Sequence, residues 1–351
     1  MKATSRRRFF KAAASAAASL ASVEAAGATQ AGAGKPRFRL ACADYLRFTP
    51  LATGDLRPTE VDLDWVRGPR AEMLRRALQD PALDGGEASM LQHLLRIDAG
   101  DRSLVALPVF PLRNFTARDL YTLKGSPLTP SALGGRRVGI YNWAASGAVW
   151  YRHLLRYLGQ EPARIQWVVG GVDQPARVES RAPLPPHVKN APAKKSLTDL
   201  LVAREIDALF APLPPAAYHP AEGPIVRMIP DYRPLEKRYF KDTGCYPPQH
   251  VLVLRREVWQ RSPEAATGLV ATFEACEKRF QEALRLFPYE TPWSIAEVEE
   301  AHLAMGPDFH AHGLERNRPA LTVFCQSAAA DGLTTRRVTV EEYFAEFLGR
   351  G

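Results

Sequence analysis

His250 lies between a proline pair and an apolar run, in Pro247-Pro248-Gln249-His250-Val251-Leu252-Val253-Leu254. A histidine leading into a strand can donate or accept a proton near neutral pH if it faces a cleft, or it can simply bond a backbone carbonyl. Asn142-Trp143-Ala144-Ala145-Ser146-Gly147 joins a short apolar run to a helix. Its small residues let a carboxylate approach free N–H groups at the helix start, with the Ser146 hydroxyl as a further donor, or they form a plain N-cap. Arg152, on the helix that follows, is either a surface arginine or a carboxylate clamp, and Trp150 either core packing or a stacking platform. Asp44-Tyr45, Glu87-Ala88-Ser89 and Ala211-Pro212 after Asp207 occupy comparable junctions. Ser146 lacks the G-x-S-x-G setting of a hydrolase nucleophile. His310 and His312 share one side of an expected strand with no third ligand near, so no metal site is expected.

Elements must carry these groups to one place. Arg37–Cys42 and Val61–Val66 read as strands, Arg70–Leu78 and Met90–Ile97 as helices, and Leu104–Phe110 as a buried strand. Glu87-Ala88-Ser89 is expected to start the second helix. A second unit follows, with strands at Leu120–Leu123, Val138–Ile140, Ile165–Val169 and Ile206–Phe210, and helices at Ala145–Leu158 and Leu197–Arg204. Gly170–Lys195, rich in proline and without periodicity, reads as a surface excursion. The chain then returns through the strand Val251–Leu254 and the helices Pro263–Arg285, Ile295–Met305 and Val340–Leu348. Leaving and re-entering a unit predicts an α/β fold of two lobes, each a mixed sheet flanked by helices: residues 35–115 plus 247–351 in lobe one, 116–246 in lobe two. Open sheets of this kind bind ligands at the carboxyl ends of their strands, the junctions named above.

The N-terminus reads as an address. Ser5-Arg6-Arg7-Arg8-Phe9-Phe10-Lys11 resembles a twin-arginine export signal, followed by an alanine-rich run to Val23 and a cleavable Ala26-Gly27-Ala28, so residues 1–28 are expected to be removed after the twin-arginine translocase exports the folded chain to the periplasm. Five of the positive charges and one negative lie in this segment, so about half of the formal net charge of +8 remains afterwards. The remaining arginines form no basic stripe, which speaks against nucleic acid and is compatible with a small anionic ligand. Cys42, Cys245, Cys276 and Cys325 are widely spaced, without a C-x-x-C, and are expected to be free, buried thiols.

Seven segments in matching order resemble the 4,5-dihydroxyphthalate decarboxylase family across nearly the whole mature chain. They are Pro108–Phe115, Leu133–Gly139, Trp150-Tyr151-Arg152, Trp167–Gly171, Ile206–Leu209, Thr243–His250 and Asn317-Arg318. The resemblance implies a fold like type 2 periplasmic binding proteins, and loss of carbon dioxide from a dihydroxylated aromatic diacid. Such a reaction needs a carboxylate clamp, a proton donor for the ring carbon and a group for a ring hydroxyl. Under this reading Arg113 and Arg152 bind carboxylate, His250 supplies the proton, and Tyr141 or Asp207 handles the hydroxyl. Asn142, Ser146, Tyr45 and Glu87 complete the binding set. No organic cofactor is implied, because a ring hydroxyl can push electrons itself. The alternative is an exported solute-binding protein serving an ABC-type permease, which needs only the clamp and a closing cleft.

Overall fold

A computed structural model of the chain describes residues 34–176, 184–286 and 291–349. The export signal expected over 1–28, its cleavage point and part of the Gly170–Lys195 excursion lie outside the described residues. In chain order the elements are β1 Arg37–Ala43, α1 Thr49–Thr53, β2 Asp62–Gly68, α2 Arg70–Gln79, β3 Gly85–Ser89, α3 Met90–Asp98, β4 Leu104–Leu107, β5 Leu120–Leu123 and β6 Arg137–Ile140. There follow α4 Ser146–Tyr157, β7 Gln166–Val169, β8 Val188–Asn190, α5 Leu197–Val202, β9 Ala208–Phe210, β10 Ile225–Arg227 and α6 Tyr232–Thr243. The last are β11 His250–Arg255, α7 Arg256–Arg261, α8 Pro263–Leu286, α9 Ser294–Met305, α10 Leu314–Ala330 and α11 Val340–Tyr343.

The strands form two mixed sheets, ordered β2-β1-β3-β11-β4 and β10-β5-β9-β6-β7-β8. In the first, β11 runs antiparallel to both neighbours; in the second, β5 is the reversed strand. Helices cover both faces of each sheet. Leu269 and Phe273 of α8 pack on one face of the first, while Leu94 of α3, Trp150 of α4 and Phe324 of α10 share a core on the other. Tyr151 and Leu155 of α4 lie on one face of the second sheet, Leu197, Leu200 and Leu201 of α5 on the other. Burying each such large apolar side chain contributes roughly 1.5–3 kcal/mol, and this is what holds the layers together. The arrangement is an α/β fold of two lobes.

Several elements differ from the sequence expectation. Glu87-Ala88-Ser89 ends a strand, β3, and does not start the helix. Gly85 and Gly86 hide that strand from a propensity reading, yet they are required there. Their φ angles are +155° and +148°, and a Cβ would stand 2.1 Å from the Val253 or Ala41 carbonyl oxygen. The antiparallel β11 therefore closes on β3, and β1 on its other side, without a side chain between. The excursion after Gly170 contains an edge strand, β8. His310 and His312 lie in the turn before α10, not in a strand, and α1, α6, α7, α10 and β10 are elements beyond those expected. All four cysteines are free and buried.

Two passages connect the sheets, and they run side by side. Asn114 N–H donates to Pro247 O at 3.1 Å and Gln249 N–H to Leu112 O at 2.8 Å. Trp150 of α4 donates its indole N–H to Pro248 O at 2.7 Å.

Candidate active site

The carboxyl ends of β1, β3, β6 and β9, with the start of β11, meet at one edge of both sheets. Glu87, near the end of β3, is fully buried and collects four donors there. Ala43 N–H approaches Oε2 at 2.9 Å, the Cys42 thiol the same oxygen at 3.4 Å, and the Tyr45 hydroxyl Oε1 at 2.5 Å. The fourth is Nδ1 of His250, also on Oε1. The register explains the meeting: His250 opens β11 opposite Ser89, beside the strand that carries Glu87. Burial works against ionising Glu87, but the His250 charge and the bonds from His250, Tyr45 and Ala43 outweigh it and hold the carboxyl below its ordinary value of 4.5. The same burial and the adjacent Glu87 push the Tyr45 hydroxyl well up, so it stays a proton-bearing donor. With Nδ1 engaged, the ring of His250 is oriented and its Nε2 is the atom left for chemistry.

The second sheet supplies the facing wall. Ser146, the first residue of α4, bonds Ser89 Oγ at 2.8 Å and accepts Leu91 N–H at 3.0 Å, so the starts of α3 and α4 abut. Neither helix has an acidic residue in its first turn, and Ala145 caps α4 with no side chain. The uncapped first N–H groups of α4 and the positive dipole ends of both helices therefore gather at this point. The hydroxyl of Tyr141 reaches the same place, 2.7 Å from where a Cβ on Gly147 would stand. Burial raises its pKa, with the charge of Asp119 adding to the effect. Asp119 itself lies beneath, bonded by Tyr151 at 3.2 Å, and burial pushes its carboxyl up to about 7.

Of the expected site residues, Tyr45, Glu87, His250, Tyr141 and Ser146 are brought to this edge. Asn142 is exposed there and its Oδ1 accepts Ala144 N–H at 2.9 Å, which shapes the turn before α4. Three expectations are corrected. Arg152 has no exposed surface: it donates to Asp331 and to Trp143 O at 3.1 Å and stacks 4.0 Å over the Trp143 ring, so its charge is spent within the protein. Arg113 is sealed between the connecting passages and the C-terminal segment, donating to Tyr246 O and Ala311 O at 3.1 Å each and to Asn317. Burial lowers its pKa to about 10, and it latches the crossing without facing a ligand. Asp207 precedes β9, at the opposite edge of the sheet, where it accepts Arg137 N–H at 2.9 Å.

Arg70, which was not among the expected site residues, carries a charge that reaches the site. It opens α2, is exposed, and its charge bears on both Tyr45 and Tyr141. A sequence signal existed: an arginine at a helix start opposes the dipole, so its placement needs another cause.

No protein-family model matches the chain. Among curated relatives it is 26% identical over 320 residues to a protein of Comamonas testosteroni named 4,5-dihydroxyphthalate decarboxylase, across 88% of this chain and 96% of that one. A protein of the same name from Pseudomonas putida is 28% identical over 189 residues, covering 52% of this chain and 73% of that one. Among solved structures, the periplasmic aliphatic sulphonate binding protein SsuA of Escherichia coli matches with a TM-score of 0.50 at 16% identity, over 88% of this chain and 99% of its own. The resemblance to the decarboxylases thus runs along most of the chain, and the fold is that of periplasmic binding proteins.

Proposed function

We propose that the protein binds a small aromatic carboxylate of the dihydroxyphthalate type between its two lobes, residues 35–115 plus 247–351 and residues 116–246, and removes carbon dioxide from it. The observation that carries this reading is the buried Glu87–His250 pair. A pocket that only captures an anion gains nothing from a buried carboxylate, which repels the ligand; a group that must hand over a proton does gain from one, because the carboxylate orients the ring and stabilises its protonated form. The curated relatives' name supplies the substrate class.

In this reading Arg70, Tyr141 and the start of α4 receive the anionic ligand. His250, carrying its second proton, delivers it from Nε2 to the ring carbon that bears the departing carboxylate. The hydroxyl para to that carbon pushes electrons into the ring as the new C–H bond forms. The C–C bond to the carboxylate then breaks, its electron pair returns to the ring, and carbon dioxide leaves. A 4,5-dihydroxyphthalate would yield 3,4-dihydroxybenzoate. The twin-arginine-like N-terminus supports a periplasmic setting.

The fold also favours a second reading, an exported solute-binding protein that hands its ligand to an ABC-type permease. Incubating the purified protein with 4,5-dihydroxyphthalate and measuring carbon dioxide separates the two. Turnover by the wild type, reduced about a hundredfold or more in His250→Gln with affinity retained, is the expected outcome. Tight binding without carbon dioxide would sink the enzyme reading in favour of the second.

A further inference from the structure

Gln249 is 7% exposed, and its backbone is fixed on both sides. Its N–H donates to Leu112 O at 2.8 Å and its carbonyl accepts Met90 N–H at 3.0 Å. The neighbouring Pro248 carbonyl is bonded by Trp150. Its side-chain amide, with two donors and an acceptor, makes no hydrogen bond among the described residues, although the side chains of Glu87, His250, Tyr45 and Ser146 around it are all bonded. The polar atoms of this amide are not among the sealed, unpartnered ones, so they stay open to a partner from outside the chain.

The amide points at the start of α4. Its Oε1 lies 3.3 Å from where a Cβ on Gly147 would stand, and the Tyr141 hydroxyl lies 2.7 Å from the same point. Gly147 is helical, so no left-handed backbone calls for glycine there, and a glycine in a helix lowers its propensity. What the missing side chain permits is the close approach of the Tyr141 hydroxyl and the Gln249 amide to the uncapped start of α4. An amide with no partner among the described residues is free to turn its Nε2–H₂ toward a ligand held at that helix start.

We propose that Gln249 is the residue that recognises the retained carboxylate of the ligand: its Nε2–H₂ donates to one carboxylate oxygen while the first N–H groups of α4 hold the other. This rests on the reading that the cleft takes an aromatic carboxylate. Two successive residues then serve two adjacent positions of one ring, Gln249 the carboxylate that stays and His250 the neighbouring carbon that loses its own.

The test is calorimetric titration of phthalate and of 4,5-dihydroxyphthalate into wild type, Gln249→Leu and Gln249→Glu, with carbon dioxide release followed in parallel. Gln249→Leu should weaken both acids by about tenfold and Gln249→Glu by a hundredfold or more, with binding to Gln249→Glu recovering as its carboxyl is protonated at lower pH. A merely structural role predicts the reverse order, because Glu matches Gln in shape and Leu does not. Variants that bind as tightly as wild type, or that weaken in that reverse order, overturn the inference. Should Gln249→Glu not fold, Gln249→Met decides in its place, since it keeps the length and loses the donors: weakened binding supports the inference and wild-type binding overturns it. The expected pattern without carbon dioxide from wild type refutes decarboxylation and leaves the carboxylate site standing. Wild type that binds neither acid refutes both.

Discussion

Glu87 is the residue on which the proposed chemistry and the local stability both turn. Glu87→Gln keeps the shape and one acceptor but removes the charge that stabilises a protonated His250. Turnover of 4,5-dihydroxyphthalate should fall by about a hundredfold with KM nearly unchanged, because the carboxylate acts through the histidine and touches no ligand. The same substitution should alter the acid limb of stability. Since the folded protein holds this carboxyl below its ordinary 4.5, its contribution is present above that value and is lost as pH falls through the lower one. Melting scans should therefore show a shallower decline for the variant below about pH 4.5. His250 and the start of α4 could be read from sequence because a strand end and a small-residue helix start are local patterns. That Glu87 is the partner of His250 could not, since their meeting depends on β11 inserting beside β3. The arginines misled for a related reason: whether a guanidinium faces ligand or protein is decided by partners such as Asp331 and Asn317, far away in the chain.

At the scale of elements, β3 shows how a strand can be specified by space and not by propensity. Its first two residues are glycines squeezed between the carbonyls of β1 and β11, and no β-branched side chain marks them. Gly86→Ala would set a Cβ 2.1 Å from Ala41 O and should abolish soluble folded protein, as seen by circular dichroism and yield. Gly100→Ala is the control: its φ is +78° but nothing stands within 4 Å, so only the left-handed backbone is penalised, by roughly 1–2 kcal/mol in a denaturant titration. The parallel strands β1, β6 and β7 were legible as short apolar runs. The edge strands β8 and β10 were not, because Val188-Lys189-Asn190 and Ile225-Val226-Arg227 are short and broken by polar residues, unlike the equally short but wholly apolar β9.

Across the whole molecule, the C-terminal segment ties the two sheets together. Asp331, just past α10, takes Arg152 and Arg156 of α4, with side-chain exposure of 1% for Asp331 and 0% for Arg152. Tyr343 of α11 donates to Met90 O at 3.0 Å, at the start of α3. Asp331→Asn leaves Arg152 buried without its counter-charge and should cost about 3–5 kcal/mol, whereas Arg152→Met with Asp331→Leu should recover much of the loss. A chemical denaturation series on the three proteins checks both statements. The two-lobed plan was legible because the chain visibly returns to strand after a complete α/β unit; the strap was not, since α10 carries Pro319 inside it and reads as broken.

The position of β11 also sets an order in time. It fills the gap between β3 and β4, yet it is made only after every strand of the second sheet. On the ribosome the second sheet can close while the first still stands open at its middle, with Gly85 and Gly86 bare along one side. The Glu87–His250 pair is therefore assembled by the same event that completes the first sheet, and no chain that ends before β11 carries it.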